Sequence, residues 1–120
     1  FIAAAYVVTL LSTNYVAEGD YWESEFYLMA VCSVLGMSVM ASSRDLVTIF
    51  VAFELLSIPT YMLAAWRKRD VKSNEAGMKY FLIGVFATGI LLYGMSLLYG
   101  IAGTTALAGM LVLARRAVTR

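Results

Sequence analysis

The chain has 120 residues, of which 62% are hydrophobic and 14% are charged. A soluble domain carries about a quarter charged residues, and a chain this apolar lacks the polar residues that would cover a soluble globule. The net charge of +1 gives no indication of nucleic-acid binding. The lack of histidine and the single cysteine, Cys32, exclude the usual zinc sites and an internal disulfide framework. We therefore predict an all-α integral membrane protein, in which Cys32 is a small core residue.

Four long apolar stretches predict about four transmembrane helices, at residues 1–16, 23–42, 44–66 and 74–99. A spanning helix needs about 20 mainly apolar residues, and the last three stretches reach this length. The first stretch looks truncated at its start. Because the chain opens on Phe1, inside an apolar run and without a charged region before it, we expect a fragment of a longer protein rather than a signal peptide.

The segments between these stretches carry residues that are typical of helix caps. Ser42 and Asp45 have the spacing of a capping box just before the third helix. Ser73 or Asn74 is expected to cap the fourth helix. The glycine-containing segment 100–103 is expected to end it.

The distribution of basic residues predicts the orientation of the helices. Loop 67–72 contains four Lys or Arg residues, whereas the loop before the third helix contains only Arg44. The excess of positive charge in cytoplasmic loops places 67–72 on the cytoplasmic side, so the third helix runs inward and the fourth outward. The acidic loop at 18–25 then also lies inside, which the rule tolerates because Asp and Glu contribute little to it.

Residues 104–120 form a separate segment after the predicted bundle at 1–103. This segment is apolar as far as Ala114 and then contains Arg115, Arg116 and Arg120. It is too short to span a membrane, so we predict a short interfacial or surface helix. A spanning helix cut off at the end of the chain is the weaker alternative.

Glu54 is the principal candidate for a functional residue, because it lies near the middle of the third helix. An acidic residue at that depth costs several kcal/mol, faces a bundle interior or a water-filled cavity, and is functional by default. Ser57 and Tyr61 follow three and seven residues later on the same face, where they are expected to support a polar stripe that holds water. The alternatives are a structural ion pair or a protonated Glu54 bonded to a neighbour, and a Ser57 bonded to its own helix backbone.

Lys79 is the second candidate, about one and a half turns into the fourth helix. Glu75 precedes it by four residues in the favourable order, so a surface Glu75–Lys79 pair is the alternative interpretation. If the two helices start level, Glu54 and Lys79 differ in depth by about 9 Å, and a water or a third residue would have to bridge them. The sequence contains no redox ligand, phosphate-binding loop or nucleophile constellation.

Three runs of sequence resemble a known family. Residues 46–61 resemble the glutamate-bearing helix of the antiporter-like subunits of respiratory complex I, with the sequence LVTIFVAFELLSIPTY. Residues 67–82 resemble the N-type subunit of NADH:quinone oxidoreductase, with the sequence RKRDVKSNEAGMKYFL. Residues 91–100, LLYGMSLLYG, also fit this subunit. The resemblance is dense from about residue 25 to residue 105 and looser outside that range.

The resemblance implies part of a larger inverted-repeat bundle, covering roughly its third to sixth transmembrane helices. It implies a subunit that couples quinone reduction to proton pumping, in which Glu54 tunes the charge of a channel lysine and Lys79 is the sixth-helix lysine. The implied location is an energy-transducing membrane such as the bacterial inner membrane. The implied partners are other membrane-arm subunits and lipids, without nucleic acid. No cofactor is expected in this chain, and quinone, FMN and iron–sulfur clusters are expected elsewhere in the complex.

Several functions remain open at this point. The later channel lysines and the second repeat of the family are absent here, so the chain is not expected to form a proton path alone. A cation/proton antiporter subunit is the alternative within the family. A small four-helix exporter also fits the length, although its glutamate would be expected in the first helix. A structural subunit, in which Glu54 and Lys79 only hold helices together, is the third alternative.

Overall fold

The computed structural model describes residues 2–17 and 23–118, and all the helices and strands that it assigns there are α-helices. These helices are α1 (Ile2–Leu11), α2 (Thr13–Ala17), α3 (Glu23–Ser42), α4 (Leu46–Ala64), α5 (Val71–Ala102) and α6 (Leu107–Val118). The predicted all-α membrane class is confirmed, since α3, α4 and α5 are long and apolar enough to cross a membrane. Most of the predicted acidic loop, residues 18–22, lies outside the described residues.

The first predicted helix, at residues 1–16, is interrupted. α1 has 10 residues and α2 has 5, with a turn at Ser12 between them. The hydroxyl groups of Thr9, Ser12 and Thr13 all donate to backbone carbonyls three or four residues earlier. Such bonds compete with the hydrogen-bond ladder of the helix and bend it. Neither helix has the length of a span, so the described residues contain three of the four predicted spans.

α3 and α4 run antiparallel and share the most extensive interface between any two described helices. Phe26 and Trp66 pack edge to face at 5.5 Å between ring centroids, so the start of α3 lies beside the end of α4. Gly36 lets the two backbones approach closely, because a Cβ there would lie 2.6 Å from Leu56 N and 2.9 Å from Ala52 O. Small residues at the contact are the usual way in which membrane helices pack.

Asp45 is the N-cap of α4. Its carboxylate accepts hydrogen bonds from the N–H groups of Val47 at 3.0 Å and Thr48 at 3.2 Å. The predicted capping box was wrong, because Ser42 is the last residue of α3 and donates to Val39 O. Asp45 has the extended backbone that an N-cap needs, with φ −136° and ψ 138°. α4 is therefore slightly shorter than the predicted 44–66.

α5 begins at Val71, three residues before the predicted start, because Asp70 is its N-cap and accepts from Lys72 N at 2.9 Å. Ser73 and Asn74, which the sequence predicted as caps, hold the preceding loop instead. The Ser73 hydroxyl donates to the last carbonyl of α4 at 3.0 Å, and the Asn74 amide donates to a loop carbonyl at 2.9 Å. Their polar side chains are satisfied by the turn between α4 and α5 rather than by the helix start.

The far end of α5 lies beside the start of α4. α5 ends at Ala102, within the predicted segment 100–103, and its C-cap Gly103 has a left-handed φ of 64°. Leu46 N then donates to Thr105 O at 2.9 Å, and Leu107 N donates to Arg44 O at 3.0 Å. The loops at 43–45 and 103–106 therefore meet at one end of the bundle, opposite the basic loop 67–72.

α6 is the short helix predicted within residues 104–120. Its 12 residues are too few to span a membrane. Leu107, Leu111 and Val118 project from one side of the helix, with Arg115 next to Leu111 at the edge of that side. Arg116 projects from the opposite side. The placement of this segment at the membrane surface remains a prediction.

Candidate functional site

Glu54 is the ninth residue of the 19-residue helix α4 and the only charged residue in it. Its Oε1 atom is buried and accepts no hydrogen bond from any described residue. Leaving a buried acceptor without a partner costs about 1–3 kcal/mol, and more when the group is charged. An orphan acceptor in the middle of a membrane span therefore makes Glu54 a candidate functional residue.

A groove between α4 and α5 contains the Glu54 side chain. The groove is lined by Phe50, Glu54, Ile58 and Tyr61 of α4 and by Phe81, Val85 and Thr88 of α5. Only three of these side chains carry oxygen: the Glu54 carboxyl, the Tyr61 phenol and the Thr88 hydroxyl. The face of Glu54 and Tyr61 that the sequence predicted is thus turned toward α5.

Tyr61 is 9% exposed and is held against α5 by two aromatic rings. Its ring packs edge to face against Tyr80 at 4.8 Å and against Phe81 at 5.9 Å between centroids. Gly84 makes room for the phenol, because a Cβ at that position would overlap it. The phenol of Tyr61 therefore occupies a fixed position on the α5 surface.

Ser57 is not among the residues that line the groove of Glu54. It is buried and lines a neighbouring groove together with Phe53, Thr60 and Tyr61 on its own helix. The side chain that bonds to the helix backbone here belongs to Thr60, whose hydroxyl donates to Ser57 O at 2.7 Å. The groove that Glu54 lines is therefore also lined by Tyr61, but not by Ser57.

Lys79 forms an ion pair with Glu75, and their side chains are 69% and 58% exposed. Gly77 and Phe81, two residues before and two after Lys79, both face α4. Residues two apart on a helix project about 200° apart, so Lys79 points away from α4. The surface pair, which the sequence left as the alternative, is the arrangement in the structure.

The separation between Glu54 and Lys79 exceeds the predicted depth difference of about 9 Å. Gly77 lies against Ala65, and Thr88 lines the groove of Glu54, which together fix the register of α4 against α5. This register places Lys79 level with the last turn of α4, about 13 Å along the axis from Glu54. The assumption of level starts was wrong, because the first turns of α5 extend past the end of α4.

Thr88 is the groove residue that the sequence did not single out. It lies across the groove from Glu54, four residues after Gly84 and so on the same face of α5. A threonine in an apolar helix gives little signal, since its hydroxyl usually bonds to the backbone of its own helix. Its importance becomes visible only from the register of α4 against α5.

Comparison with known proteins assigns the chain to a family. Residues 43–119 match the model of the transmembrane family described as NADH:quinone oxidoreductase/Mrp antiporter. This match covers both Glu54 and Lys79 and more than half of the chain. The chain belongs to the NADH:quinone oxidoreductase/Mrp antiporter family.

Relatives within this family carry the name NADH-quinone oxidoreductase subunit N. One from Trichlorobacter lovleyi is 47% identical over 108 residues, which are 90% of this chain and 22% of the relative. Another from Jannaschia sp. strain CCS1 is 41% identical over 110 residues, 92% of this chain and 23% of the relative. The chain thus spans between a fifth and a quarter of the length of these curated relatives.

A solved structure shares the fold as well as the sequence. A chain in the structure of respiratory complex I from Thermus thermophilus with bound aureothin superimposes with a TM-score of 0.67 at 38% identity. The match covers 86% of this chain and 24% of that chain. The helices described above therefore have the arrangement of part of an antiporter-like membrane subunit.

Proposed function

We propose that the chain is part of the N-type membrane-arm subunit of a proton-translocating NADH:quinone oxidoreductase, with Glu54 as a proton-handling residue. The observation that carries this proposal is the buried, unpartnered Oε1 of Glu54 in the middle of α4. An unpaired charge in an apolar setting is costly, so the carboxyl group responds strongly to any cation or water that approaches it. Family membership and the name of the curated relatives support the same function.

The proposal also assigns partners and a location. The superposition on a chain of respiratory complex I supports other membrane-arm subunits and membrane lipids as partners. Quinone reduction, FMN and iron–sulfur clusters would belong to other parts of the complex. The membrane would be an energy-transducing membrane such as the bacterial inner membrane. The basic loop 67–72 would lie on its cytoplasmic side.

Lys79 is the second residue in this proposal, with a role separate from that of Glu54. It lies on the side of α5 away from α4 and is paired with Glu75. A lysine in that position would act on groups beyond this chain rather than on Glu54 directly. Titrations of neighbouring groups are coupled only where the groups interact, so a relay through water or further residues would link the two sites.

The test is Glu54→Gln in the full-length subunit within the assembled complex. Glutamine keeps the size of the side chain but cannot gain or lose the proton. We expect quinone reduction to continue at a reduced rate and the protons pumped per quinone reduced to fall. Proton uptake and quinone reduction would be measured together in membrane vesicles. Glu25→Gln, an exposed carboxylate at the start of α3, is the matched control and should pump as the wild type does.

Two outcomes would contradict the proposal. Wild-type pumping stoichiometry and rate in Glu54→Gln would remove Glu54 from proton handling. Unchanged pumping with weakened assembly of the complex would instead favour a structural role for Glu54. Assembly is therefore checked in the same membranes by the amount of intact complex.

A cation/proton antiporter subunit is the second candidate, because the matching family includes Mrp antiporters. The two functions differ in the process that drives proton movement across the membrane. Sodium-dependent proton exchange in vesicles, without added electron donor, would favour the antiporter. Proton movement that requires quinone reduction and is independent of sodium would favour the oxidoreductase subunit.

A further inference from the structure

The groove between α4 and α5 has room for an ordered water beside the Glu54 carboxyl group. Glu54 Oε1 is a buried acceptor without a partner among the described residues. The groove measures about 390 Å³, whereas a cavity needs only about 10–15 Å³ to hold one water. Water is retained in an apolar region where several polar groups converge on it.

Two hydroxyl groups on the groove wall are available to bind that water. Neither the Tyr61 phenol nor the Thr88 hydroxyl has a hydrogen-bond partner among the described residues. Tyr61 is fixed by Tyr80 and by the space at Gly84, one turn from Thr88 on the same face of α5. Thr88 is half-buried and β-branched, so few rotamers are open to its hydroxyl.

The other polar groups nearby do not reach this position. Lys79 and Glu75 are paired on the opposite side of α5, about 13 Å along the axis from Glu54. Ser57 lines the neighbouring groove rather than that of Glu54. Thr88 is therefore the polar residue of α5 that faces the carboxyl group at its own depth.

We propose that Thr88 is a positioning residue for Glu54, and that its hydroxyl, with that of Tyr61, holds a water against the Glu54 carboxyl group. The water donates to the carboxylate and accepts from the carboxylic acid, so it gives Glu54 a partner in both protonation states. This inference rests on the proposed function, since the water affects transport only if Glu54 changes its protonation.

The test uses Thr88→Val and Thr88→Ser in the full-length subunit within the assembled complex. Valine keeps the shape of threonine and removes the hydroxyl, whereas serine keeps the hydroxyl. The readouts are proton pumping and the carbonyl stretch of Glu54 in redox-induced infrared difference spectra, assigned by its loss in Glu54→Gln. The matched control is Ser96→Ala, which removes an exposed α5 hydroxyl that donates to Tyr93 O.

We expect Thr88→Val to move the Glu54 band to higher frequency, because its carbonyl accepts fewer hydrogen bonds. Pumping should fall by up to about tenfold, the equivalent of one ordinary hydrogen bond. Thr88→Ser should restore both readouts, and Ser96→Ala should change neither. An unmoved band and wild-type pumping in Thr88→Val, with pumping lost in Glu54→Gln, would overturn this inference alone. Wild-type pumping in Glu54→Gln would overturn the proposed function as well.

Discussion

Asp45 is a single residue that joins the start of α4 to the loop after α5. Its carboxylate caps α4 through two backbone N–H groups. The side chain of Thr105 lies beside the same carboxylate, and its hydrogen-bonding interaction is the largest cause that lowers the pKa of Asp45 below its ordinary value. The backbone hydrogen bonds from Thr48 and Val47 lower the pKa further. Each of these donors favours the charged form of the carboxyl group.

This arrangement predicts a pH dependence of stability. A carboxyl whose pKa is lower in the folded than in the unfolded state stabilises the fold at pH above its unfolded pKa, about 3.9. That contribution is lost as the pH falls through the lower, folded pKa. Asp45→Asn keeps an N-cap acceptor but removes the charge. We therefore expect the full-length variant in detergent to melt below the wild type at neutral pH, and the difference to vanish in acid. A difference in melting temperature that persists unchanged to low pH would contradict the linkage.

The sequence predicted the depth of Glu54 but not the residues around it. One charged residue inside a long apolar run is visible in the sequence, and its burial follows from the cost of exposing it to lipid. The placement of Thr88 beside the groove and the position of Lys79 both depend on the register of α5 against α4. That register follows from contacts between distant small residues, such as Gly77 against Ala65, which no local pattern encodes. The surface pair of Lys79 with Glu75 is local, and the spacing of four residues had indicated it.

At the scale of the elements, close packing of α3 on α4 depends on the missing side chain of Gly36. A Cβ at Gly36 would lie 2.6 Å from Leu56 N, 2.9 Å from Ala52 O and 3.0 Å from the carbonyl carbon of Leu55. All three are backbone atoms, so no side-chain rotation relieves the overlap, and the helices must move apart. Overpacking of this kind costs about 1–3 kcal/mol.

Gly36→Ala should therefore lower the melting temperature of the full-length subunit in detergent. Gly94→Ala is the matched control, because a Cβ at Gly94 meets nothing within 4 Å in the described structure. Alanine is better than glycine in a helix by about 1 kcal/mol, so the control should be neutral or slightly stabilising. Equal effects of the two substitutions would show that α3 and α4 do not approach closely at Gly36.

The sequence predicted the presence of the helices more accurately than the residues at which they begin and end. α3 has the predicted bounds 23–42, because its apolar run ends at the short polar loop that follows the helix. The starts of α4 and α5 were displaced by two and three residues, since several adjacent polar residues were each able to cap. In both cases aspartate provides the cap, and the neighbouring Ser42, Ser73 and Asn74 make other bonds. Competition between such neighbours is decided by the tertiary turn rather than by cap preference.

Contacts near the helix termini show which helix ends lie at the same end of the bundle. The bond from Leu46 N to Thr105 O puts the loop before α4 beside the segment leading to α6. The contact of Phe26 with Trp66 puts the start of α3 at the opposite end, near the basic loop 67–72. If that loop is cytoplasmic, as its charge predicts, α6 lies on the other side of the membrane.

Single-cysteine labelling tests this orientation in the full-length subunit. In a full-length subunit with its native cysteines replaced, Cys32→Ser among them, Lys68→Cys and Ala108→Cys place one thiol in the exposed basic loop and one on an exposed position of α6. An impermeant maleimide should label Lys68→Cys only in inverted vesicles, whose cytoplasmic face is outward, and Ala108→Cys only in right-side-out vesicles. The reverse pattern would contradict the orientation that the basic residues predict but would be consistent with the fold. Labelling of both thiols from the same side would contradict the arrangement of α5, because this helix separates the two positions and is long enough to cross the bilayer once.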